Sequence, residues 1–136
     1  MAADMGGIEF ITFHDYDVLY NNVSINTNTA EAARQNKVKR LFFSSSACIY
    51  PTHKQESPNA PALKESDAYP ANPDNEYGWE KLFSERLYKS YNKFYKVRVG
   101  RYHNIFGPEG TYQGGREKAP AAMCRKIAMA KNGDSI

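Results

Sequence analysis

Leu41-Phe42-Phe43-Ser44-Ser45-Ser46-Ala47-Cys48-Ile49-Tyr50-Pro51 passes from an apolar run into serines, and Tyr77-Gly78-Trp79-Glu80-Lys81 opens an amphipathic segment downstream. The first stretch reads as a buried strand whose carboxyl end turns polar, which is where an open α/β sheet places its ligand. Side chains alternate along an extended chain, so Ser44, Ser46, Cys48 and Tyr50 are expected on one side and Ser45, Ala47 and Ile49 on the other. Pro51 has no backbone N–H for a ladder, and the strand is expected to stop there. Tyr77 and Lys81 are four apart, hence neighbours on a helix surface. An ammonium beside a phenol favours phenolate, so the pair predicts a general base of lowered pKa, with Ser46 hydrogen-bonded to the same oxygen. A second Tyr-x-x-x-Lys at Tyr50 and Lys54 is interrupted by Pro51. At the downstream copy Trp79, Leu82, Phe83, Leu87, Tyr91 and Phe94 make a helical stripe, with Tyr77 and Lys81 just off it.

Working outward, the residues up to Phe13 read as loop, with Gly6 and Gly7 able to take unusual backbone angles. A helix is predicted over residues 15–35, with an Asn- and Thr-rich middle (residues 21–29) of low helix propensity and Asn36 as a left-handed cap. The strand is predicted over residues 37–50, and residues 52–73 form a proline-rich connection. A second helix is expected over residues 74–93 and a second strand over residues 97–105. A glycine-containing loop over residues 107–115 follows. The last helix has Pro120 in its first turn and ends near Asn132-Gly133.

Strand and helix alternate here as in a parallel sheet with covering helices. Two parallel strands leave open edges, and no Gly-x-Gly-x-x-Gly follows a first strand. The fold class expected is therefore α/β: an incomplete Rossmann-type doubly wound parallel sheet. Residues 1–136 would be the central part of one domain, with no separate second domain. A 41% hydrophobic and 24% charged composition suits a soluble globular chain, and a net charge of +3 is too small to argue for nucleic acid. Cys48 and Cys124 have neither metal-ligand nor disulfide spacing. Without a basic n-region, an apolar h-region or a spanning stretch, a cytoplasmic protein without a membrane role is expected.

Ser44-Ser45-Ser46-Ala47-Cys48-Ile49-Tyr50-Pro51 with Tyr77-x-x-x-Lys81 resembles the extended short-chain dehydrogenase/reductase superfamily. Three further runs resemble the GDP-mannose 3,5-epimerase family within it. They are Ala2-Ala3-Asp4-Met5-Gly6-Gly7, Arg101-Tyr102-His103-Asn104-Ile105-Phe106-Gly107-Pro108 and Gly114-Gly115-Arg116-Glu117-Lys118-Ala119-Pro120-Ala121-Ala122. The resemblance implies NAD as cofactor, a nucleotide sugar such as GDP-mannose as substrate, and a homodimer in the full-length family member. It implies that Tyr77 takes the C4 hydroxyl proton, with Lys81 and Ser46 completing a triad and Tyr77 and Lys81 facing the cofactor. Cys48 and Lys118 would exchange protons at C3 and C5 of the 4-ketone, giving GDP-L-galactose, a precursor of ascorbate in plants. Gly6, Ser46, Ala47, Cys48, Asn104, Glu117, Lys118, Ala119 and Lys126 would contact substrate, and no residue would bind metal.

From the residues alone, Lys118 lies in a charged helix entrance of a kind usually solvated, Asn104 suits a loop hydrogen bond, and Gly6 a turn. Cys124, beside Met123 and Ile127, reads as core. Two alternatives stand beside the epimerase. One is another nucleotide-sugar 4-epimerase or dehydratase, with no use for Lys118; the other is a catalytically inactive truncated remnant.

Overall fold

Arg40–Ser46 forms β1 and Lys96–Tyr102 forms β2. They run parallel in a two-stranded sheet, with Leu41 opposite Val97, Phe43 opposite Val99 and Ser46 opposite Tyr102. The structure, a computed structural model, describes residue 3, residues 5–105 and residues 107–135; Ala2, Asp4 and Phe106 of the motifs quoted above lie outside the described residues. Around the sheet are α1 (Ile8–Phe13), α2 (Asp15–Gln35), α3 (Glu76–Ser90) and α4 (Ala119–Met129). Parallel neighbours need a crossover, and α3 provides it between β1 and β2.

Burial explains the layering. Ala30 and Ala33 of α2, Phe43 of β1, Tyr88 of α3, Val97 of β2 and Tyr95 just before β2 close one core, in which the small alanines let helix and sheet approach. Full burial of a side chain such as Phe43 contributes about 2 kcal/mol. Ile49, Tyr50, Ala68 and Leu82 form a second cluster beneath the proline-rich connection. Ile11, Val18 and Tyr77 form a third, joining α1, α2 and α3. The opposite face of the sheet is open, with Phe42 59% exposed and its ring edge-on to Tyr102.

The elements follow the expected order, with local corrections. Residues 8–13 are helical rather than loop, because Gly7 takes an extended conformation as N-cap and Glu9 occupies the first turn. The left-handed residue after α2 is Lys37 (φ 52°) and not Asn36 (φ −84°). β1 ends at Ser46, where the Ser46 side chain accepts the Cys48 N–H and winds Ala47–Ile49 into a 3₁₀ turn. The expected alternation therefore fails at Cys48 and Tyr50. β2 ends at Tyr102 rather than Ile105, and α4 at Met129. Cys124 is exposed rather than core. The apolar stripe of α3 is not its buried face either, since Trp79 is 42% and Phe83 49% exposed. No helix of the described residues is long and apolar enough to cross a membrane.

Candidate active site

The 3₁₀ turn after Ser46 brings the backbone of Cys48 onto the first turn of α3. Asn75 caps that helix by accepting the Gly78 N–H at 2.9 Å. A β-carbon at Gly78 would overlap the Cys48 carbonyl oxygen, so only glycine allows this approach. Tyr77 then lies beside Cys48, and its hydroxyl shares a hydrogen bond with the Ser46 side chain. Ser46, Cys48 and Tyr77 are thus brought together as the sequence predicts, although by a turn rather than by strand alternation.

The charge state of Tyr77 differs from expectation. Burial and repulsion from Cys48 push its phenol up to about 12, against the Ser46 hydrogen bond. Lys81 does not lower it here. The Lys81 ammonium donates to the Ser44 carbonyl at 3.3 Å and sits 5.5 Å from the centre of the Tyr77 ring and 5.1 Å from that of Phe43. It faces the rings rather than the phenol oxygen, and burial pulls its own pKa down, opposed by Glu80.

Two features of this half escaped the sequence reading. Glu80 is fully buried; its Oε1 accepts from Asn26 Nδ2 and from the Ser84 hydroxyl, each at 2.8 Å, and Tyr88 donates to Asn26 Oδ1 at 3.1 Å. Glu80 Oε2 has no partner among the described residues, and burial raises the carboxyl above its ordinary range. Position supplied the signal: Glu80 follows Tyr77 by three and precedes Ser84 by four, and the buried Asn22 and Asn26 come from the Asn-rich middle of α2. The second feature is an ion pair. Arg101 grips Glu85 at 2.9 and 2.8 Å and also donates to the Tyr50 hydroxyl and the Glu65 carbonyl, while Ser45 donates to Glu85. It ties β1, β2, α3 and the proline-rich connection together.

The other candidates gather around α4. Lys118 is its N-cap residue, half-buried, and its ammonium donates to the Gly6 carbonyl at 3.4 Å. The neighbouring Glu117 accepts the Gly115 N–H at 2.7 Å and a contact from Arg125 at 3.5 Å; backbone hydrogen bonds hold its carboxyl below the usual range. A cavity of about 860 Å³ opens here, lined among others by Met5, Gly6, Ile105, Tyr112, Lys118 and Cys124. Ser46, Ala47, Cys48 and Tyr77 do not line it, nor do Asn104, Glu117, Ala119 and Lys126. Asn104, Ala119 and Lys126 are exposed. Phe10 of α1 connects the halves: it packs against the cluster that holds Tyr77 and Cys48, and its ring carries the Arg116 guanidinium at 4.1 Å from its centre.

Comparison with known proteins matches residues 1–136 to the NAD dependent epimerase/dehydratase family. The GDP-mannose 3,5-epimerase of Arabidopsis thaliana is 56% identical over 128 residues, covering 93% of this chain and 34% of its own length. The chain thus spans about a third of the length of that relative. Among solved structures, the UDP-N-acetylglucosamine 4-epimerase of Methanobrevibacter ruminantium, in complex with UDP-N-acetylmuramic acid, superposes with a TM-score of 0.76 at 26% identity. That match covers 98% of this chain and 41% of the other. The UDP-glucose 4-epimerase of Thermus thermophilus, in complex with NAD, gives 0.69 at 26% identity over 84% of this chain and 35% of its own. The Rossmann-type arrangement read from the sequence is the part of these structures that the chain covers.

Proposed function

Because the chain belongs to the NAD dependent epimerase/dehydratase family, we propose that it supplies the catalytic centre of a nucleotide-sugar epimerase. Its reaction would convert GDP-mannose to GDP-L-galactose through a 4-keto intermediate, within a single domain. The observation that carries this is the juxtaposition of the Tyr77 hydroxyl, Ser46 and Cys48 where β1 meets α3. The similarity to an epimerase of that specificity supports it.

Tyr77 and Lys81 fit a nicotinamide cofactor, since both lie at the carboxyl end of β1, the Lys81 ammonium 5.5 Å from the centre of the Tyr77 ring. NAD, when bound there, supplies the oxidation of the C4 alcohol and its later reversal. Tyr77 accepts the C4 hydroxyl proton. With its phenol at about 12 it is neutral near pH 7, so its own proton must first leave. Turning the Lys81 ammonium from the Ser44 carbonyl toward the phenol oxygen favours that loss. The 4-ketone acidifies C3 and C5, where Cys48 and Lys118 give and take protons. Gly6, Ala47, Asn104, Glu117, Ala119 and Lys126 complete the substrate contacts in this reading. It includes a cytoplasmic location, a part in L-galactose and ascorbate supply, and a homodimer through α2 and α3, whose exposed Tyr16, Tyr20, Trp79 and Phe83 support a covered face.

The test is calorimetric binding of NAD with and without GDP-mannose, followed by incubation of the chain with both in deuterium oxide. Deuterium at C3 and C5, abolished by Cys48→Ala with C4 oxidation retained, is the expected result. Turnover confined to C4 would replace this reading with a 4-epimerase or dehydratase. A chain that binds neither ligand would be an inactive remnant.

A further inference from the structure

Residues 5–10 and residues 115–118 are far apart in the chain and meet face to face. Arg116 Nη1 donates to the Met5 carbonyl at 3.3 Å, and the same guanidinium lies 4.1 Å above the centre of the Phe10 ring. Lys118 Nζ donates to the Gly6 carbonyl at 3.4 Å. Gly7 is what lets the two backbones close, because a β-carbon there would lie 2.5 Å from the Glu117 carbonyl oxygen. Each side is anchored separately. The Glu117 carboxylate holds the Gly115 N–H and Arg125, and Arg125 donates to the Tyr112 carbonyl at 2.9 Å. Phe10 is packed against Ile11, Val18 and Tyr77 and tilted on His14 at 4.6 Å.

We propose that these segments form a clasp that aims the Lys118 ammonium, with Gly7 and Phe10 as its positioning residues. A lysine at a helix N-cap has a fixed backbone and a four-carbon stem with free rotation. What fixes the tip is the Gly6 carbonyl, and what fixes that carbonyl opposite Lys118 is the Gly7–Glu117 approach and the Phe10–Arg116 stack. Phe10 also touches the Tyr77 cluster, so the clasp sets one candidate proton carrier relative to the other group. Only the role given to Lys118 rests on the epimerase reading; the clasp itself rests on the contacts.

The test is the rate of reductive methylation of Lys118 by formaldehyde and cyanoborohydride in the whole chain across pH 7–9. It is read by peptide mass spectrometry as a ratio to the exposed Lys126 on the same helix. Phe10→Ala should raise the Lys118 to Lys126 ratio by about two- to fivefold, the range expected for losing an exposed cation–ring contact, and Gly7→Ala, whose methyl pushes the two backbones apart, should raise it as well. Phe10→Tyr keeps the ring face and should restore the native ratio and pH profile. Should Gly7→Ala or Phe10→Ala not fold, Arg116→Gln removes the stack with both backbones intact and must show the same rise. An unchanged ratio in the folded variants overturns the clasp. GDP-mannose binding, measured separately on the unaltered chain, decides the epimerase reading without touching this ratio.

Discussion

α3 and α4 each carry candidate proton-transfer groups, and they are held in opposite ways. α3 buries Tyr77, Glu80, Lys81, Ser84 and Tyr88 and turns Trp79 and Phe83 outward. α4 has the more regular apolar stripe and no buried residue, with Met123, Ile127 and Met129 exposed. The difference shows what immobilises a helix in this chain. Buried, hydrogen-bonded polar groups and a half-buried ion pair secure α3, whereas apolar residues without a facing surface do nothing for α4. Tyr77 is therefore fixed by the core of its own chain, and Lys118 by a handful of contacts at side-chain tips.

Removing Arg101 should undo the difference between the two helices most severely. Its pair with Glu85 is 19% and 11% exposed, and without the guanidinium the Glu85 carboxylate keeps the Ser45 hydroxyl but no cation, at a cost of about 3 kcal/mol, the low end of the range for a buried pair. Arg101→Ala should lower the urea midpoint accordingly, with hydrogen exchange in α3 accelerated. A loss below about 0.5 kcal/mol, the range of ordinary surface changes, would mean that the ion pair does not secure α3. Gly78→Ala comes next. The new methyl meets the Cys48 carbonyl and lies 2.8 Å from Pro73 Cβ. Backbone on one side cannot give way, so about 1–3 kcal/mol is expected, together with slower trapping of Cys48 by iodoacetamide if the turn shifts.

How legible this was follows from the same contrast. The order of elements, the ends of α2 and the meeting of Ser46, Cys48 and Tyr77 were readable, because strand-end serines and a Tyr-x-x-x-Lys on a helix leave local signals. The face of α3 was not. Its stripe of Trp79, Leu82 and Phe83 promised an apolar core, but only Leu82 is buried there, because the partner α2 offers Asn22 and Asn26. Polar complementarity between elements tens of residues apart has no period to detect. The same is true of Arg101 and Glu85, and of the clasp, whose Gly7 reads in sequence as a loop glycine of free backbone angles, whereas in the fold it lies against the Glu117 carbonyl.

Glu80→Gln separates the two helices through pH. Burial favours the protonated carboxyl in the folded chain, raising it above 4.5. Once the pH exceeds that value the unfolded chain releases a proton the folded chain keeps, so stability falls as pH rises until the folded group also ionises. The buried Lys81 acts in the opposite sense, because its lowered pKa makes stability rise with pH through its own range. Glutamine keeps the acceptor for Asn26 and Ser84 and removes the titration. The variant should therefore gain on the native chain from about pH 4.5 upward, by at most about 1.4 kcal/mol per unit. Parallel melts at pH 4 and pH 7 check it; an identical pH dependence in both proteins would mean that folding does not raise the Glu80 carboxyl.

Ile127→Ser should do least. Ile127 is 59% exposed on a helix with no buried residue, and a surface exchange of this kind changes stability by no more than about 0.5 kcal/mol. The result is informative because α3 predicts the reverse for its apolar Leu82, 3% exposed, whose truncation to alanine opens a cavity costing about 2–5 kcal/mol. Melting both variants at two protein concentrations separates the causes. If Ile127→Ser destabilises by as much as Leu82→Ala, and more so at high concentration, the stripe of α4 is buried in solution against a second copy. Lys118 would then owe its placement to that interface rather than to the clasp.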